Sequence, residues 1–340
     1  MLTIAATTGI IALTASWAAL KLARRMGWFA QKNSRTIHRL PTPQLGGVAV
    51  AAAFIIGTAA YGVYAGGFSV FLIGLMVGFA LMTAVGLIDD ARGLAPWQKL
   101  AGQAAAAAVI AAAQGGFALP EPISRALPAF IETPLQYSLA LFWIVGATNA
   151  LNLIDGADGL ASGAALAAAA ALAAAAGVSN MGAEAFVAVL LFAGVLGFLP
   201  FNLPTAKMFL GDAGALSIGC ALGAIALKVC FQQTENMALY IFPLTALSLP
   251  IFDTAAAIVR RRGRWAKADK SHIHHRLFKL GWSPAKTAGS LALSSAVFAA
   301  AGAAAARLQS APLALAAAAV SFGFWLFLYH APRRKSRPAR

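Results

Sequence analysis

The feature that most constrains this chain is a succession of apolar stretches, each about as long as a lipid bilayer is thick. A helix needs roughly 20 mostly apolar residues to cross. Such stretches run near 2 to 20, 46 to 66, 69 to 88, 98 to 114, 136 to 153, 159 to 177, 184 to 200, 213 to 231, 237 to 259, 286 to 306 and 311 to 330. The expected fold class is therefore an all-α polytopic membrane protein with about eleven spans, ten being the alternative count. Composition excludes the soluble class: with 60% hydrophobic and 11% charged residues over 340 positions, too little polar surface exists to cover a globule. Residues 1–340 read as a single integral membrane domain that ends in a basic tail, 331–340.

The basic residues set the expected orientation. With the N-terminus outside, the inside loops collect Lys21, Arg24, Arg25, Lys32, Arg35 and Arg39, then Arg92 and Lys99, then Lys207, then the run from Arg260 to Lys286. The tail from Arg333 to Arg340 joins them and places the C-terminus in the cytoplasm, while Arg125, Lys228 and Arg307 stay outside. Anionic head groups account for the net charge of +15, so nucleic acid is not an expected partner; the bilayer is. Positive charges follow the first stretch rather than precede it, the reverse of a signal peptide. Cys220 and Cys230 share one stretch and read as buried packing residues.

The carboxylates sort by type across this topology. Asp89, Asp90, Asp155, Asp158, Asp212, Asp253 and Asp269 fall at the inside ends, and Glu121, Glu132, Glu184 and Glu235 fall at the outside turns. A polar site at the inside boundary follows.

Four segments carry it. Gly86-Leu-Ile-Asp89-Asp90 ends the third stretch, with Lys99 and Gln103 opening the next. Adjacent carboxylates repel unless a cation or shared proton relieves them, as a metal-bound polyphosphate would; the plainer reading is that Asp90 caps the following helix. In Asn149-Ala-Leu-Asn152-Leu-Ile-Asp155-Gly-Ala-Asp158, the first three polar residues recur every third position. They form one stripe on an apolar helix, which must face protein or water, and Asp158 could equally cap the next helix. After Asn202 and Pro204 break the seventh stretch, Lys207-Met-Phe209-Leu-Gly211-Asp212-Ala-Gly214 opens the eighth. An Asp at a helix start can hold Mg²⁺ while backbone amides face a phosphate. Capping is again the alternative, and Phe209 alone reads as core or lipid-facing. Last, His272-Ile-His274-His275-Arg276 follows Asp269 among Arg260, Arg261, Arg262, Arg264 and Lys267. No nearby cysteine or glutamate completes a zinc set, so a cationic loop for phosphates fits better.

These four segments, in this order on successive inside loops, resemble the polyprenyl-phosphate N-acetylhexosamine-1-phosphate transferases, the superfamily of WecA, TagO and MraY. The likeness extends to Arg35, His38, Pro41, Pro43, Gly46 and Gly47 in the first inside loop, and the His-Ile-His-His form is similar to the WecA-like branch. The resemblance implies transfer of N-acetylhexosamine 1-phosphate, by default GlcNAc 1-phosphate, from a UDP-sugar to undecaprenyl phosphate. UMP is released and a lipid-linked envelope glycan begins, on the cytoplasmic face of a bacterial inner membrane. It implies Mg²⁺, or Mn²⁺, held by Asp212 and Asn152. Asp89, Asp90, Lys99, His272, His274 and His275 would carry the chemistry, Asp89 as base or orienter and Lys99 on the lipid phosphate. Asn149, Asp155, Asp158, Asn202, Phe209, Arg276 and His38 would line the substrate pocket. A homodimer is the assembly it suggests. The same reaction on a UDP-N-acetyl-deoxysugar or on UDP-MurNAc-pentapeptide is the near alternative. A secondary transporter would also carry intramembrane carboxylates, but it shows repeats and a midplane site, neither of which is evident here.

Overall fold

A computed structural model of the protein describes residues 1–29, 42–231, 236–261 and 272–330. The helices are α1 (Leu2–Met26), α2 (Gly46–Tyr64), α3 (Val70–Arg92), α4 (Pro96–Gln114), α5 (Glu121–Ala126), α6 (Ala129–Ile154) and α7 (Leu160–Val178), followed by α8 (Gly182–Asn202), α9 (Gly211–Cys230), α10 (Met237–Ala246), α11 (Ser248–Arg261), α12 (Ile273–Lys279), α13 (Pro284–Arg307) and α14 (Ala311–His330). The only strand-like pairing among the described residues is an isolated bridge between Phe29 and Pro43. Helix starts follow local chemistry. Ser69 and Ser283 accept amides of the first turns of α3 and α13, and Pro96 and Pro284 stand in first turns where no amide is needed.

The bundle is built around α9. Of its best apolar window 94% is buried, against 22% for α1 and 17% for α14, which lie on the rim of the bundle. Small residues make that central place possible: α9 carries Gly214, Ser217, Gly219 and Gly223, and α3, α6, α2 and α7 close on it at short range. Cys220 and Cys230 are free and fully buried on α9, as packing residues would be.

Among the described residues, nine helices are long and apolar enough to cross a membrane, or ten if the bent pair α10–α11 is one span. That pair is the apolar stretch 237 to 259, broken by 74°. The remaining stretch, α4, falls outside the nine because Gln98, Lys99, Gln103 and Gln114 dilute it. It nonetheless runs between the two ends of the bundle. Lys99 meets Asp89 at the end of α3, whereas Ala118, just beyond α4, donates to the carbonyl of Phe231 at the far end of α9. Its 19 residues cover roughly 28 Å. The protein is thus a multi-pass membrane protein in which the ends of α3, α6, α8, α11 and α14 gather with the starts of α2, α4, α7, α9 and α13.

Candidate active site

Where α3 and α6 end and α4 and α9 begin, four side chains form one chain of contacts. Lys99 lies 2.8 Å from Asp89 Oδ2 and also pairs with Asp212 Oδ2. Asn152 Nδ2 donates to the other oxygen of Asp212 at 2.8 Å. Asp89 Oδ1 accepts the Leu94 amide at 2.6 Å, which pins the turn between α3 and α4. The ammonium therefore sits between carboxylates from α3 and α9, and Asn152 joins the second of them to α6.

Asp90 faces the other way. Its Oδ1 accepts the Asp212 amide at 3.0 Å and Gln44 Nε2 at 2.7 Å, and its Oδ2 accepts the Ala213 amide at 3.1 Å. Asp90 thus caps α9, not the next helix α4, whose N-cap residue Ala95 donates its amide to the Gln98 side chain. The approach is close enough to fix one residue type. Gly211 has φ +73°, and a Cβ there would stand 2.7 Å from Asp90 Oδ2.

The polar stripe of α6 faces protein, as its spacing requires. Asn149 exchanges hydrogen bonds of 2.6 and 3.2 Å with buried Gln103 on α4, and Asn152 reaches Asp212. Asp155 terminates α6 at the mouth of the cluster. Part of its surface stays open, yet the packing around it, then the charges of Asp212, Asp90 and Asp158, push its carboxyl up to about 8. Among the described residues, Lys99 is the cation that pairs with Asp89 and Asp212. Asp158 does not cap α7, which starts from Gly159; its Oδ2 accepts the Ala206 amide at 2.9 Å. Asn202, 3% exposed, is a tie between segments: its Oδ1 accepts the Gly159 amide and Ser162 hydroxyl, and its Nδ2 donates to the Met208 carbonyl. Phe209 is half-buried, its amide bonded to Pro43 and its carbonyl to Gly46.

The histidines lie on α12, docked beside this cluster. His272 opens the helix with Nδ1 2.6 Å from Asp253 Oδ2. His274 is buried, and neither of its ring nitrogens has a hydrogen-bond partner among the described residues. Burial, then the neighbouring His275, holds its pKa down to about 3. Its ring fills the space over Gly156, where a Cβ would stand 2.7 Å from Nε2, so the histidine helix and the Asp155–Asp158 turn are in direct contact. The His275 ring lies tilted against that of His274, with centroids 4.2 Å apart. Arg276 donates to the Tyr329 carbonyl and lies 3.5 Å over that ring, which binds α12 to the end of α14. His38, Arg35, Asp269, Arg262, Arg264 and Lys267 lie outside the described residues.

The structure thus joins Asp89, Asp90, Lys99, Asn152 and Asp212 into one network, pairs Asn149 separately with Gln103, and sets the Asp155–Asp158 turn and α12 beside it. Gln44 has no part in the sequence motifs, and Asp253 none beyond its side of the membrane. Gln44 carries no signal of its own, whereas a lone carboxylate within the apolar run of α11 is one.

A membrane bundle with carboxylates, an amide and a lysine gathered at one boundary is the architecture of an interfacial transferase, and the comparisons give the class. The family model described as Glycosyl transferase family 4 matches residues 72–230, from α3 to the end of α9. The chain is 31% identical over 278 residues to the probable undecaprenyl-phosphate N-acetylglucosaminyl 1-phosphate transferase of Bacillus subtilis, covering 77% of this chain and 73% of that protein. It is 32% identical over 304 residues to the decaprenyl-phosphate N-acetylglucosaminephosphotransferase of Mycolicibacterium smegmatis, covering 82% and 75%. It is 29% identical over 284 residues to the phospho-N-acetylmuramoyl-pentapeptide-transferase of Limosilactobacillus fermentum, covering 78% and 84%. The chain belongs to glycosyl transferase family 4 and is a membrane-embedded phosphosugar transferase.

Proposed function

We propose that the protein transfers N-acetylhexosamine 1-phosphate, GlcNAc 1-phosphate by default, from a UDP-sugar to undecaprenyl phosphate and releases UMP. The observation that carries this is the Asp89–Lys99–Asp212–Asn152 chain at the junction of four helix ends. One substrate comes from water and the other from lipid, so only a boundary site serves both. The names of the Bacillus and Mycolicibacterium relatives support the sugar and the polyprenyl phosphate.

Both substrates are anions, while among the described residues Lys99 is the one cation in contact with Asp89 and Asp212. Bringing phosphates here requires more positive charge. The donor set fits Mg²⁺, which takes hard oxygens and one or two carboxylates with the rest from phosphates and water: Asp212 and the Asn152 amide oxygen would hold it. Among the described residues no group of three or more His, Cys, Asp or Glu could hold a metal alone, so the substrate diphosphate would complete the shell. When bound there, Mg²⁺ would supply charge stabilisation for the departing UMP. Of the chain's own groups, Asp89 orients or deprotonates the lipid phosphate that Lys99 holds, and α12 meets the diphosphate.

Purified protein with undecaprenyl phosphate, Mg²⁺ and a panel of UDP-N-acetylhexosamines tests the reading. UMP release that depends on the lipid and ceases with chelator is expected; no UMP with any sugar rejects it. The site side is proposed as cytoplasmic, in a bacterial inner membrane. A cysteine at Ala268 should then resist a membrane-impermeant thiol reagent in intact cells and one at Ser124 should react, the reverse pattern overturning the orientation. A homodimer remains part of the same proposal.

A further inference from the structure

The helix that carries the histidines is held by a carboxylate from the broken span. Asp253 is the one carboxylate of α11 and is 1% exposed. A buried carboxylate is costly unless its lone pairs are taken. Here Oδ2 faces His272 Nδ1 at 2.6 Å and Oδ1 accepts the Ile273 amide at 3.0 Å, so one residue grips both the first side chain and the first amide of α12. An ionised carboxylate only accepts. The proton of His272 therefore stays on Nδ1 whether the ring is neutral or charged, and Nε2 is the nitrogen left to act. Nε2 has no partner among the described residues.

We propose that Asp253 is a positioning residue of the transfer reaction. It fixes His272 as the Nδ1–H tautomer and seats α12 so that His274 lies on Gly156, leaving His272 Nε2 free for the sugar nucleotide. The inference rests on the phosphosugar-transfer reading above, and its physical core, the tautomer, is measurable without turnover.

The informative variant is Asp253→Asn. An amide oxygen still caps Ile273, but an NH₂ now faces His272 Nδ1 and drives the ring proton to Nε2. The chain has five histidines, so nitrogen NMR on histidine-labelled protein, assigned with His272→Gln, resolves this one. The expected result is an Nδ1–H signal for His272 that becomes Nε2–H in Asp253→Asn. With it, kcat falls by about 10- to 100-fold, the range for partners that orient a histidine, while KM for the polyprenyl phosphate changes less than about twofold. Asp253→Glu recovers part of the loss. Adding Asp253→Asn to His272→Gln costs nothing further, since the first acts through the second.

A carboxylate that merely caps α12 predicts otherwise: Asp253→Asn near wild-type kcat, or losses that multiply in the double variant. Either result overturns the proposal, as does an Nε2–H signal in the wild type. Should Asp253→Asn not fold, the wild-type tautomer together with His272→Gln decides, a kcat within twofold of wild type rejecting the role. Wild-type protein that releases no UMP rejects the functional reading, and the NMR signal still judges the Asp253–His272 pair.

Discussion

The two ends of the bundle carry the same functional group and use it in opposite ways. At the end away from the site, Glu121 pairs with Arg125 one turn along the same short helix, with side chains 65% and 76% exposed. Glu132 accepts from Ser124 and from Gln136, four residues on. At the site end, Asp90 bonds an amide 122 residues away, Lys99 reaches Asp212 across 113, and Asn152 reaches it across 60. Local pairs in water steady a turn and contribute little. Partly buried charges gathered from remote segments are dehydrated at a cost that well-packed apolar residues would avoid. A fold that keeps them there keeps them for a ligand, and each substitution below tests that contrast.

The largest effect is expected at Asp212, where the remote contacts converge. Asp212→Asn removes the charge that Lys99 and Asn152 share and with it the proposed hold on Mg²⁺, so turnover should fall below detection while helicity and solubility in detergent persist. Mg²⁺-dependent turnover at the wild-type rate would take Asp212 out of the site. Asp89→Asn comes next. Asp89 holds Lys99 on the side of α3 and fixes the Leu94 turn. A base or orienter contributes about 10² to 10⁴ in rate, so kcat should drop by that factor with UDP-sugar affinity little changed. Near-normal turnover would return Asp89 to a structural role.

Asp90 separates stability from chemistry. Both its oxygens are committed to the first amides of α9 and to Gln44, so Asp90→Ala should cost about 1 kcal/mol, the worth of a helix cap. Asp90→Asn keeps one acceptor and should lose less kcat than Asp89→Asn. Denaturation midpoints and turnover measured on both variants check the division; a larger kcat loss at Asp90 than at Asp89 would reverse the two roles.

Much of this was legible in the sequence, and what was not has physical reasons. Spans show because lipid accepts only long apolar helices, and all eleven stretches are helical in the structure. The break of α10 from α11 did not show, since 237 to 259 is apolar apart from Asp253 and a few small polar residues. Pro250 was the available sign, for a helix restarting at Ser248 places it in a first turn, where its missing amide is harmless. At the site, residue types and spacing pointed to Asn149, Asn152 and Asp212, because polar groups on apolar helices must meet one another. Partners were another matter. Asp90 reads as a cap for the next helix and instead caps α9, because a cap is chosen by proximity in space. Asp158 likewise serves Ala206 rather than its own helix start.

The smallest effect is expected where the comparison began. Glu121 and Arg125 form a charged pair at i and i+4 on the six-residue helix α5, both sides open to water. Water screens the attraction, and holding two long side chains in one geometry costs entropy, so such a pair contributes under about 0.5 kcal/mol. Glu121→Gln should leave turnover, UDP-sugar affinity and denaturation midpoint at wild-type values. The same change of a carboxylate to its amide would then be silent at Glu121 and abolish turnover at Asp212. A clear loss of activity in Glu121→Gln would mean that the far end also serves the reaction, and the contrast between the two ends would fall.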